Sequence, residues 1–157
     1  MHFEYLGTRN PDSWVTLPSG LHQAIDDIEI RLKADDGYNY TITLYPGLVT
    51  DGGSVPWMLR WFVPSWSSTN HELNIAFVLH DILYATEYLP KEVADDLLED
   101  MLMIAGISRF RASTVCWAVT NFADKHYGKQ FDENEMGLFS RIVKYKLGYA
   151  NFFIGKF

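Results

Sequence analysis

Across residues 27–33 apolar and polar side chains alternate. Ile28, Ile30 and Leu32 fall on one face, and Glu29, Arg31 and Lys33 on the other. A period of two predicts a half-buried β-strand. Asp35-Asp36-Gly37 follows, and Asp-Gly tolerates the positive φ of a tight hairpin. Residues 38–45, rich in Tyr, Thr and Ile, then read as the returning strand. Shorter strands are expected at 3–6, 13–17 and 48–50, with a turn around Gly7, Asn10 and Pro11.

The pattern changes near residue 69. Thr69 or Asn70 can cap a helix running to about residue 88. Leu73, Ile75, Ala76, Phe77, Val78, Leu79, Ile82 and Leu83 make it apolar almost all round, which predicts a central, buried helix. Pro90 suits the first turn of a second helix, to about residue 105, which Gly106 ends. Ser108 opens a third, to about residue 127, and a fourth is expected over 133–147. The segment between the two textures holds Pro56, Trp57, Trp61, Phe62, Pro64 and Trp66 and reads as an ordered, aromatic loop. The last ten residues, with Phe152, Phe153, Ile154 and Phe157, are expected to pack on the body or on a partner. The reading is one α+β domain over 1–157. A small N-terminal antiparallel sheet (1–50) precedes a bundle of about four helices (69–147).

Composition narrows the function classes. Apolar residues make up 48% of the 157, enough for a globular core. The formal net charge of -7 argues against nucleic acid as the main partner, because phosphates need a cationic surface. The single cysteine, Cys116, excludes an internal disulfide and a multi-cysteine zinc site. No apolar run approaches the roughly 20 residues that span a bilayer, and no signal peptide is visible. The expected setting is a reducing cytoplasm.

Three places could carry chemistry. His80, Asp81 and Tyr84 share one sector of the buried helix. A charged Asp in an apolar helix costs several kcal/mol unless it is paired, hydrogen-bonded or metal-bound. Asp51-Gly52-Gly53-Ser54 can curl to offer carbonyls and a carboxylate to a hard cation, N–H groups to an anion, or simply a turn. The second helix is acidic, with Lys91 its one basic residue. Asp95 and Asp100 fall at opposite edges of its apolar stripe and Asp96 in the middle of the polar face. Asp95 or Asp100 can therefore look into a site between helices. No G-x-S-x-G, P-loop or H-E-x-x-H is present.

The order Pro46-Gly47-x-Val49-Thr50-Asp51-Gly52-Gly53-Ser54-Val55-Pro56, then Leu79-His80-Asp81-x-Leu83-Tyr84, then Ala94-Asp95, resembles a family from bacteria and their phages. That family is catalogued as domain of unknown function 1353. The resemblance implies a phage or prophage origin, with host cytoplasm or virion as the setting, and no established activity. His80-Asp81-x-x-Tyr84 is also similar, more distantly, to the helix of secreted phospholipases A2. That likeness implies a calcium-dependent ester hydrolase acting on a lipid or other ester. His80 would be the general base and Asp95 the carboxylate that orients it, with Tyr84 helping to hold Asp95. Asp81, Asp51, Gly52 and Gly53 would be the calcium ligands. Those enzymes staple this helix pair with disulfides, which one cysteine does not allow.

A non-enzymatic reading stands beside it. Here His80, Asp81 and Tyr84 form a buried polar network in a virion component or host-interaction protein, and Trp57, Trp61 and Trp66 supply the contact surface. A metal phosphohydrolase using His71 and His80 ranks last, since nine residues along one helix do not place both on one face.

Overall fold

A computed structural model of the chain describes residues 2–50, 63–64, 66–87, 89–122 and 150–155. It contains two compact units, one inserted in the sequence of the other. The first comprises Met1–Asp51 with Asp132–Phe157, and the second comprises Gly52–Phe131.

The first unit is built of strands. β1 (Phe3–Arg9), β4 (Ile28–Ala34), β5 (Asn39–Leu44) and β7 (Ala150–Gly155) form an antiparallel sheet in the order β1-β4-β5-β7. β2 (Trp14–Thr16), β3 (His22–Ala24) and β6 (Val49–Thr50) form a second sheet in the order β2-β3-β6. The alternation in β4 decides its burial. Ile28, Ile30, Leu32 and Ala34 are buried, and the register sets Ile28 opposite Leu44 and Ile30 opposite Ile42, both of which are buried too. At the hairpin Gly37 takes φ 85°, and the Tyr38 N–H donates to Asp36 Oδ1 at 2.9 Å. Asp-Gly here does what its chemistry allows.

Three features depart from the expected pattern. Gly7 is not in a turn: β1 runs through it to Arg9, with a register shift between Tyr5 and Gly7 and φ 127° at the glycine. That conformation is one that only glycine adopts cheaply, and it marks a bulge. β3 has no signal of its own, because three residues gain strand character only from pairing with β2 and β6 on either side. The C-terminal segment does not merely pack: β7 pairs along the whole of β5, from Asn39 opposite Gly155 to Leu44 opposite Ala150.

The second unit holds three helices among the described residues: α1 (His71–Thr86), α2 (Lys91–Ile104) and α3 (Arg109–Phe122). The expected fourth helix at 133–147 and the end of the third, beyond residue 122, lie outside the described residues, as do Trp57 and Trp61. α2 packs against both α1 and α3. Every residue of α1 from Leu73 to Tyr84 is buried, as its all-round apolar pattern requires. Asn70 caps α1 by accepting the Leu73 N–H at 3.2 Å, and its amide donates to the Ala105 carbonyl at 2.9 Å, so one side chain ties the start of α1 to the end of α2. Gly106, at φ 91°, ends α2 with Gly106 N–H to Met103 O and Ile107 N–H to Leu102 O, the paired bonds of a Schellman close. The Arg111 N–H reaches Ser108 Oγ at the start of α3. No helix among the described residues is long and apolar enough to cross a membrane.

α1 stops at Thr86 rather than residue 88 because Glu87 turns left-handed, at φ 52° and ψ 27°. A side chain there costs about 1–2 kcal/mol, partly offset by the extra chain entropy of glycine. Glu87→Gly is expected to stabilise the protein by about 0.5 kcal/mol in urea unfolding. A loss of stability would show that the glutamate side chain is used.

Candidate functional site: a buried carboxylate shared by three helices

Asp95 lies at the apolar edge of α2, and only 3% of it is exposed, whereas Asp96 and Asp100 face solvent. Helical spacing brings His80 and Tyr84, one turn apart on α1, to the same carboxylate oxygen. His80 Nε2 is 2.9 Å from Asp95 Oδ1, and the Tyr84 hydroxyl donates to that oxygen as well. The His80 and Tyr84 rings lie 4.1 Å apart between centroids and fix each other's tilt. Oδ2 takes two further donors: Lys91 Nζ at 2.9 Å, one turn earlier on α2, and Thr120 Oγ1 at 3.1 Å, from α3. Lys91 also donates to the Thr120 carbonyl at 3.3 Å. The Cys116 thiol donates to the Asp95 backbone carbonyl at 3.2 Å.

The electrostatics follow from this geometry. Burial pushes the Asp95 carboxyl up, but hydrogen bonds from His80, Tyr84 and Lys91 outweigh it and hold it at about 2. Asp95 is therefore ionised at neutral pH and can only accept. Burial pushes His80 down, and the Lys91 charge adds to that against the opposing pull of Asp95. The ring is neutral, its proton sits on Nε2 facing Asp95, and Nδ1 carries the lone pair. Among the described residues nothing donates to Nδ1. Cys116 is pushed up to about 12 by burial and by the charges of Asp95 and Glu99, so it is a thiol and not a nucleophile.

Asp81, next in the chain, is also buried on α1. His71 is only half-buried, at the first residue of the helix. Asp51, Gly52 and Gly53 lie outside the described residues. Calcium takes six to eight oxygen ligands. Among the described residues no three His, Cys, Asp or Glu side chains cluster to hold a metal, and Asp81 is the only one of the four implied ligands present. The described residues alone do not make a calcium site.

Sequence reasoning missed three members of this cluster. Lys91 carries a signal, since it stands four residues before Asp95 in an otherwise acidic helix. Thr120 and Cys116 carry none, because only the packing of α3 brings them in.

The residues of this cluster on α1 and α2, and most of α3, fall within residues 27–119, and that segment matches one family model. The chain belongs to DUF1353. The family is described as a protein of unknown function. No curated protein and no solved structure matches the chain. The DUF1353 match spans β4 to the last turn of α3, so His80, Tyr84, Lys91 and Asp95 lie inside it and Thr120 one residue beyond.

Proposed function

We propose that this protein is a hydrolase, of a phospholipase A2-like kind, in which His80 activates water against an ester. The observation that carries the reading is the state of His80. Its Nε2–H is held by an ionised carboxylate, and its Nδ1 lone pair has no donor among the described residues. A neutral imidazole is a competent base at neutral pH. Nδ1 would take a proton from water as the oxygen attacks the ester carbonyl. Asp95 would stabilise the imidazolium that results, and would fix the tautomer throughout. A phage or prophage origin fits a lipid or other ester as substrate. The host cytoplasm or the virion is the setting that goes with it.

The test is a screen of phospholipid and simple esters, with and without calcium because the phospholipase likeness carries that ion. His80→Gln is expected to reduce turnover by at least about a hundredfold with the fold intact by circular dichroism. Equal activity in parent and variant, or none in the parent across the screen, would sink the proposal.

A second reading has its own observation. Asp95 is hydrogen-bonded to all three helices through His80 and Tyr84, Lys91, and Thr120 and Cys116. Such a hub fixes packing without catalysis. On this reading the protein is a non-enzymatic virion component or host-interaction protein. Trp66, half-buried, is the described member of its aromatic loop. An inactive parent with a defined protein partner would favour it.

A further inference from the structure

The outer face of α3 carries two large rings that its own unit leaves in solvent: Phe110 is 73% exposed and Trp117 62%. They stand two turns apart on one stripe of the helix. The polar side chains around them are turned inward. Thr114 Oγ1 donates to the Phe110 carbonyl at 2.8 Å, Asn121 Nδ2 to the Trp117 carbonyl at 2.7 Å, and Ser113 Oγ to Glu99 at 2.6 Å. These donors are already used within the unit, so covering the face strands little polar capacity. Arg109 and Arg111 open the helix, where its dipole disfavours cations. Both are exposed, and neither pairs with a carboxylate among the described residues. On α2, Glu92 and Asp96 are exposed and pair with no cation among those residues.

We propose that this face binds a second copy of the chain, α3 against α3, antiparallel about a two-fold axis. The observation that selects this occupant is charge complementarity. With Phe110 of one copy set on Trp117 of the other, Arg111 comes level with Cys116 of the second copy. Cys116 touches Asp95 of its own α2 at 3.2 Å, and the exposed Asp96 is the next residue. Arg109 comes level with Ala118, just short of Thr120, whose carbonyl meets Lys91, and the exposed Glu92 follows Lys91. The two-fold axis makes both pairings twice. An anionic bilayer fits less well, because the same acidic stripe of α2 and a net charge of -7 oppose it. The four rings of two copies offer on the order of 500 Å², and the α2 edges bring the contact toward the roughly 1,000 Å² of a specific interface. The pairing is therefore a weak dimer, and it stands independently of the hydrolase reading.

The experiment is sedimentation velocity of the full chain over a concentration series. The parent should pass from monomer to dimer in the micromolar range and weaken in high salt. Phe110→Ser and Trp117→Ser should each stay monomeric with an unchanged circular dichroism spectrum, since both side chains lie on the surface. Arg111→Glu should weaken the dimer by roughly tenfold or more, and Arg111→Glu with Asp96→Arg should regain it. A dimer that survives both ring substitutions, or a double variant no tighter than Arg111→Glu, would overturn the proposal. So would a parent that stays monomeric throughout. If that monomer pelleted with vesicles of anionic phospholipid and Trp117→Ser did not, the face would belong to a membrane instead.

Discussion

Asp95→Asn is expected to lower the unfolding free energy by about 3 kcal/mol at neutral pH, within the range for breaking a buried charged network. The new amide turns an N–H toward donors that need an acceptor: His80 and Tyr84 on one side, or Lys91 and Thr120 on the other. The variant should also lose a pH dependence. The folded carboxyl is held at about 2, below the usual carboxylate range. The unfolded chain therefore takes up this proton first, and the stabilisation, complete above about pH 4, is lost as pH falls toward 2. This contribution is about 2 kcal/mol, and the Asp95→Asn variant, which has no carboxyl to titrate there, has none of it. His80 acts in the same direction at higher pH. Burial pushes its folded value down, so the unfolded imidazole binds its proton first and stability declines as pH falls below about 6.5. Urea unfolding of parent, Asp95→Asn and His80→Gln between pH 8 and pH 2 separates the two windows. An Asp95→Asn profile that keeps the parent's slope from pH 4 to pH 2 would show that some other carboxylate carries it.

Asn74→Leu is expected to cost about 2–3 kcal/mol, although leucine is the more natural residue in an apolar helix. Asn74 is fully buried, and its amide works like a piece of backbone. Oδ1 accepts the Ser67 N–H at 2.8 Å, and Nδ2 donates to the Ser67 carbonyl at 2.7 Å. Leucine would leave both Ser67 groups without that partner in a half-buried segment. Ser67 Oγ in turn accepts the N–H groups of Asn70 and Thr69, so the entry into α1 would loosen with it. Thermal unfolding should shift down by roughly 5–10 °C. A loss below about 1 kcal/mol would mean that water replaces the amide at little cost.

How far the sequence discloses this arrangement depends on the range of each interaction. The β4–β5 hairpin is legible because its determinants are local: the alternation in 27–33, then Asp-Gly at the turn. The helix starts and stops at Asn70, Gly106 and Ser108 are legible for the same reason. The meeting of His80, Tyr84 and Asp95 is half legible. One turn of α1 places His80 with Tyr84, and the edge of an apolar stripe places Asp95 toward a neighbouring helix. What α2 faces comes from packing. Asn74 breaks an apolar run as visibly as Asp81 does, and the same argument about buried polar groups applies to it. Its partner, Ser67, sits before the helix and has no periodic mark. β3, Thr120 and Cys116 are beyond reach, since each owes its place to chain distant in sequence.

The closing of the first sheet by β7 also sets an order of events during synthesis. β5 ends at Leu44 and β7 begins at Ala150, with about 105 residues of chain made in between. Throughout that interval the β5 edge that β7 will cover is open, and an open edge can pair with a neighbouring nascent chain. The helical unit, whose contacts are closer in sequence, is free of that wait. On a crowded polysome, aggregation should therefore begin at β5, and slowing synthesis between β5 and β7, which lengthens the exposure, should lower the yield of native protein more than lowering the stability of the helices does.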